Sequence, residues 1–162
     1  PPDGASFVSV LLGNPEDLYL LATDAGYGFL CAFDDLVSRN KAGKLVLTVP
    51  EGATILPPLP VAGLESDRLA TVSSGGRLLL FAVRELPRLP KGKGNKMIDL
   101  PGEERLTAMI LLPPDRHLVL TSGKRDLKLK PADLESYTGE RGRRGKPLPR
   151  GYQRVERLTV AE

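Results

Sequence analysis

Three times along the chain an apolar run ends in a small polar turn that carries glycine. The runs are Leu20-Leu21-Ala22-Thr23-Asp24-Ala25-Gly26, Leu69-Ala70-Thr71-Val72-Ser73-Ser74-Gly75 and Leu118-Val119-Leu120-Thr121-Ser122-Gly123. Such a run, closed by Gly and short polar residues, predicts a β-hairpin. A second strand follows each turn, at residues 28–33, 77–83 and 126–130. An acid–leucine pair then closes it: Asp35-Leu36, Glu85-Leu86 and Asp133-Leu134. One further apolar stretch precedes each hairpin, at 7–12, 54–61 and 106–112. In the last hairpin Lys128 and Lys130 alternate with Leu127 and Leu129, so one face of that strand is basic. Pro and Gly interrupt every stretch long enough to show a helical period. A short turn near 34–39 or 132–137 is the most helix the pattern allows.

After each hairpin comes a cluster of glycine and basic residues. The clusters are Arg39-Asn40-Lys41-Ala42-Gly43-Lys44, Lys91-Gly92-Lys93-Gly94-Asn95-Lys96 and Arg141-Gly142-Arg143-Arg144-Gly145-Lys146. A short strand is expected next, at 44–49 and 96–100, and then a Pro-bearing linker at Pro57-Pro58 and Pro113-Pro114. Units of about 50 residues with four short strands have the size of propeller blades. The reading is all-β, one repeat domain over 1–162, with blades at about 5–52, 53–103 and 104–162. Three blades are fewer than a closed propeller needs, so the array is open or part of a larger broken propeller. Residues 153–160 supply a final strand that returns to an earlier blade or seals an edge.

At 162 residues the chain is long enough to bury a core, and its 41% hydrophobic and 27% charged content is ordinary for a globular domain. It opens at Pro1 with no methionine, as expected of a piece excised from a longer protein. No run has membrane-spanning length and no signal-peptide pattern is present. The single cysteine, Cys31, excludes an internal disulfide and reads as a small buried hydrophobe; a reducing cytoplasm fits. The net charge of +3 conceals an asymmetry. Residues 1–123 hold 12 of the 23 bases and 14 of the 20 acids, a net of −2, whereas residues 124–162 hold 11 bases and 6 acids, a net of +5. That imbalance points to a polyanion or an acidic partner.

Catalytic chemistry finds little support. His117 is the only histidine, so with one cysteine no ordinary zinc site can form. Asp34-Asp35 and Glu103-Glu104 are adjacent acids that would point to opposite faces of a strand. Gly92-Lys93-Gly94 lacks the spacing and the following Ser or Thr of a phosphate-binding loop of the nucleotide-hydrolase type. No catalysis is expected from this chain alone, and no metal or cofactor.

Gripping a duplex without reading its sequence needs cations at phosphate spacing and a backbone that can come close. Lys and Arg supply the first, and Gly, with no side chain, permits the second. Any single cluster reads equally well as a solvated turn; three at one repeat phase favour a polyanion. Single-strand binders use aromatic stacking platforms. With no Trp, 4 Tyr and 4 Phe, this chain offers few of them. The candidate DNA contacts are Arg39, Lys41, Lys44, Lys91, Lys93, Lys96, Lys124, Arg125, Lys128, Lys130, Arg141, Arg143, Arg144, Lys146 and Arg150.

The run Leu89-Pro90-Lys91-Gly92-Lys93-Gly94-Asn95-Lys96, with Phe33 to Lys44 and Thr138 to Gly145, resembles the C-terminal domain of the A subunit of bacterial topoisomerase IV (ParC). The resemblance covers nearly the whole chain. The related gyrase A subunit carries a Gln-Arg-Arg-Gly-Gly-Lys-Gly box, which Arg143-Arg144-Gly145-Lys146 echoes only in part, so strong chiral wrapping of DNA is not implied. The resemblance implies a β-pinwheel, a propeller variant whose blades exchange strands. It also implies duplex DNA binding on a basic rim, which steers substrate and supercoil preference in decatenation and relaxation. Its implied partners are double-stranded DNA, the topoisomerase IV B subunit (ParE) and, in some relatives, a condensin of the MukB type. ATP and Mg would serve other domains or subunits of such an enzyme, in the bacterial cytoplasm at the nucleoid. The competing reading is a propeller that docks an acidic protein such as a condensin hinge.

Overall fold

The computed structural model describes residues 17–32, 52–56, 58–89, 92–152 and 154–161. Three antiparallel hairpins form its frame. They pair Leu18–Ala22 (β1) with Tyr27–Ala32 (β2), Arg68–Ser73 (β4) with Arg77–Ala82 (β5), and His117–Ser122 (β8) with Arg125–Leu129 (β9). All three fall where the apolar runs and glycine turns predict them.

Each of the first two hairpins is completed by strands that belong to the following repeat. Leu59–Val61 (β3) precedes the second hairpin but pairs with β1, and Asn95–Lys96 (β6) follows it but pairs with β2. One repeat later, Leu106–Leu112 (β7) pairs with β4 and Lys146–Pro147 (β10) with β5. The sheets therefore run β3-β1-β2-β6, β10-β5-β4-β7 and, with Arg157–Ala161 (β11), β11-β8-β9. The chain is nearly all-β with open sheets that exchange strands along the array.

The burial pattern explains the stacking. Successive side chains of a strand point to opposite faces. In β5, Leu78 and Leu80 enter one apolar cluster with Leu118, Leu120 and Leu158 of the third sheet. Leu79 and Phe81 enter another with Leu20, Ala22 and Leu30 of the first sheet. The second sheet is thus covered on both sides, which is why its strands read as continuous apolar runs rather than as clean alternation. Truncating Phe81, which is fully buried, to Ala would cost about 3–5 kcal/mol. The third sheet buries one face only. Its other face carries Lys128 and Thr159, both exposed, across from half-buried Val119.

The acid–leucine pairs are turn devices. Glu85 accepts a hydrogen bond from the Ala82 amide (3.2 Å), and Asp133 accepts one from the Lys130 amide (3.1 Å). Each acid thereby satisfies a donor that the short helical turn leaves without a partner. The following Leu86 and Leu134 are buried anchors. The turn after β9 is a single helical turn, Pro131–Leu134 (α1), continued by a 3-10 turn at Glu135–Tyr137.

Two expectations are refined. The strand expected at 96–100 ends at Lys96, because Met97 and Ile98 turn inward and are fully buried. The final strand, β11, seals an edge: it pairs with β8 over its whole length. The stretches at 7–12, 34–39 and 44–49 lie outside the described residues.

Candidate nucleic-acid interface

The third basic cluster is not a free loop. It begins where Thr138 forms a parallel bridge with Leu80 and the Gly139 amide donates to the Leu80 carbonyl (2.8 Å). The chain then swings out to the neighbouring sheet. There the Gly142 amide donates to the Met97 carbonyl, and the Asp99 amide donates to the Arg143 carbonyl, both at 2.9 Å. It returns as β10, with the Leu148 amide on the Gly76 carbonyl (2.8 Å). Arg77 Nη1 holds the returning limb at the Gly145 carbonyl (2.9 Å).

The second cluster repeats this path one unit earlier. Leu30 forms a parallel bridge with Arg88 before the cluster, and β6 returns to pair with Tyr27 and Gly28 after it. Gly94 and Gly145 occupy equivalent places at the start of the returning strands, with φ of +86° and +83°. A Cβ at Gly94 would run into the Gly28 backbone, and one at Gly145 would lie 2.7 Å from the Leu78 carbonyl oxygen. Glycine is required here by both conformation and close approach.

Because the third cluster bonds to residues 96–99, the second and third clusters form one continuous basic ridge across two sheets. Its cations are largely answered by acids. Lys96 Nζ lies 3.5 Å from Asp99, Arg143 Nη2 lies 3.1 Å from Glu140, and Arg144 Nη2 lies 3.8 Å from Glu104. Lys93 stands 4.4 Å above the Tyr27 ring, a cation–π contact. Arg143 and Glu140 are 69% and 77% exposed, so the pair is screened by solvent and contributes at most about 1 kcal/mol. Arg141 differs from the other described candidates: it is half-buried and donates from Nη1 to the Lys96 carbonyl (2.7 Å).

The last hairpin presents a second group of cations. Lys124, Arg125, Lys128 and Lys130 are exposed and, among the described residues, face no acid within ion-pair distance. Arg150 and Lys146 are likewise exposed and unpaired there. Arg125 Nη1 comes within 2.8 Å of the place a Cβ on Gly151 would take, so the Arg150-Gly151 turn borders this hairpin. Arg39, Lys41, Lys44 and Lys91 lie outside the described residues.

Sequence reading missed four kinds of participant. Arg77 ties the ridge, Tyr27 supports Lys93, and Asp99, Glu104 and Glu140 neutralise cations. Exposed Arg154 and Arg157 extend the basic tail. Only the last were signalled, by the charge imbalance of residues 124–162. Among the described residues no group of three His, Cys, Asp or Glu side chains could hold a metal ion. His117 sits half-buried at the start of β8, and Cys31 is buried within β2. Tyr137 is held above its ordinary pKa, first by burial and then by the Asp133 charge. No helix among the described residues is long and apolar enough to cross a membrane.

The profile of a family described as "DNA gyrase C-terminal domain, beta-propeller" matches residues 17–62 and 67–113. The chain belongs to this family. The first matched segment holds β1, β2 and β3, and the second holds β4, β5, β6 and β7. The chain is 54% identical to the A subunit of DNA topoisomerase 4 from Pseudomonas aeruginosa over 166 residues, which is 99% of this chain and 22% of that protein. It is 46% identical to the A subunit of DNA topoisomerase 4 from Escherichia coli, over 98% of this chain and 22% of that protein. It thus spans about a fifth of the length of these relatives. Among solved structures, the E. coli ParC C-terminal domain superposes with a TM-score of 0.84 at 45% identity, covering 93% of this chain and 62% of that one. A DNA gyrase A C-terminal domain, at 15% identity and TM-score 0.73, shares the fold over 92% of this chain and 50% of its own.

Proposed function

We propose that this chain is the DNA-gripping accessory domain of a type IIA topoisomerase IV A subunit. It binds duplex DNA without sequence preference, through the stitched basic ridge and the last hairpin. In the full enzyme, with its B subunit (ParE), it steers substrate and supercoil preference in decatenation and relaxation in the bacterial cytoplasm. ATP and Mg act elsewhere in that enzyme. The observation that carries the reading is the repeated device of the exchanged strand. Each returning strand carries its basic turn out to a sheet rim, and glycine lets the backbone come close there. Exposed amides in such turns can add phosphate contacts. The described aromatics support duplex over single strand, since Tyr27, Tyr137 and Tyr152 are half-buried and Tyr19, Phe29 and Phe81 are buried.

Each phosphate neutralised contributes about −0.9 to the slope of log affinity against log salt; roughly six contacts would cost on the order of a thousandfold between low and physiological salt. Mobility shifts with duplex and single-stranded DNA over a salt series test this. Duplex binding with a steep slope is expected. No binding at low salt, or a flat slope, overturns it.

A second reading is favoured by the unpaired state of the last hairpin. Lys124, Arg125, Lys128, Lys130 and Arg150 are exposed and unpaired among the described residues, a group of cations that would also suit an acidic protein, such as a condensin hinge of the MukB type. Charge reversal at Arg125 and Arg150 that abolishes protein capture but spares duplex binding would favour this partner.

A further inference from the structure

Arg141 opens the third cluster, yet its surroundings are not those of a phosphate contact. We propose that Arg141 is a positioning residue that locks the second and third basic clusters into one unit and acts on DNA through Lys96. This rests on the reading that the ridge contacts DNA. The residue is fixed through both its side chain and its backbone. Nη1 donates to the Lys96 carbonyl at 2.7 Å. The Arg141 amide donates to a Glu85 carboxylate oxygen at 3.4 Å, and the same carboxylate holds the Ala82 amide. Nε is buried and without a partner. A buried, unanswered donor is costly, and a side chain that reaches freely into solvent would not incur that cost. The two backbone bonds beside it, Gly142 to Met97 and Asp99 to Arg143, run across the same seam. Arg141 is the side chain that spans this seam to the carbonyl of a ridge lysine. Its cation is spent on a backbone oxygen of the preceding cluster, and what reaches DNA is the neighbouring Lys96, whose backbone Arg141 fixes.

The two roles separate experimentally. In the free protein, Arg141→Ala should speed hydrogen exchange at the Gly142 and Asp99 amides by tenfold or more (about the loss of one charge-assisted hydrogen bond). Arg141→Lys keeps the charge on a shorter stem that ends before the Lys96 carbonyl, and it should also raise exchange there. On duplex DNA, Arg141→Ala should weaken binding about tenfold in an otherwise intact chain. It should have little further effect once Lys96 is already Ala, because the two act in series. Unchanged exchange at both amides in both variants overturns the tie. Additive losses in the Arg141→Ala, Lys96→Ala cycle overturn the positioning role and make Arg141 a phosphate contact in its own right. If the unaltered chain binds no DNA, the functional reading fails, while the exchange measurement still judges the tie.

Discussion

The ridge formed by the second and third clusters and the face of the last hairpin are both basic, but they are built in opposite ways. In the ridge the backbone is stitched to a neighbouring sheet, Gly94 and Gly145 are enforced by close approach, and most described cations already have a partner. In the last hairpin the turn is the two residues Gly123-Lys124, Arg125 and Lys128 stand on the strand and Lys130 just past it, and none of Lys124, Arg125, Lys128 and Lys130 is paired among the described residues. Basic composition alone therefore does not measure readiness for DNA. Unpaired cations release counterions in full, whereas paired ones must first give up an acid. The ridge supplies geometry and the hairpin supplies charge.

The glycines give the sharpest test of that contrast. Gly94 has φ of +86° and a Cβ there would strike the Gly28 backbone, so Gly94→Ala should destabilise the fold by several kcal/mol, on the order of 3, and displace β6 from β2. Gly123 has φ of +63° with nothing within 4 Å of a Cβ. Gly123→Ala should therefore cost only the left-handed conformation, about 1–2 kcal/mol. Chemical denaturation of both variants measures the difference. Equal losses would show that the ridge backbone is no more constrained than the hairpin turn.

Much of this arrangement is legible in the chain. The hairpins, the acid–leucine pairs and the final strand are written in local pattern, because each needs only a turn, a cap or an apolar face. Even the exchange has a trace: Gly43, Gly94 and Gly145 recur at 51-residue intervals, and the last two occupy equivalent places before β6 and β10. The partner of each returning strand is not legible. β6 pairs with β2 across more than 60 residues, and nothing local distinguishes that hairpin from its own. Glu104 was hidden for the same reason, whereas Asp99 and Glu140 each stand three residues from the cation they meet. Glu104 meets Arg144 only because β7 joins the second sheet, and Glu85 meets Arg141 only across the seam. Sequence placed charge by position in the chain, whereas the fold decides which charges remain available.

The second test compares the charges directly. Replacing Lys124, Arg125, Lys128 and Lys130 together with Gln should lower the magnitude of the salt slope by up to about 0.9 for each phosphate that is no longer neutralised. Replacing Arg143 and Arg144 with Gln should lower it less per cation, because Glu140 and Glu104 already neutralise them in the free protein. Titrations of duplex DNA at several salt concentrations measure both. A larger drop per cation from the arginine pair would place the main DNA grip on the ridge and reverse the comparison.

The smallest effect should come from freeing the ridge rather than disabling it. If Glu140 and Glu104 restrain Arg143 and Arg144, then Glu140→Gln and Glu104→Gln should each strengthen duplex binding at low salt. The Arg143–Glu140 pair is exposed and worth about 0.2–1 kcal/mol, so the gain from Glu140→Gln is bounded at about fivefold. Removing any acid from a DNA-binding chain raises affinity somewhat, so the control is Glu135→Gln. Glu135 is exposed in the 3-10 turn, and its side chain has no partner among the described residues. The paired acids should exceed this control, and the excess should shrink as salt screens both pairs. An identical gain from Glu135→Gln would mean that the ridge acids act only through overall charge. The arginines of the ridge would then be as available as the lysines of the hairpin, and the distinction between the two surfaces would rest on backbone geometry alone.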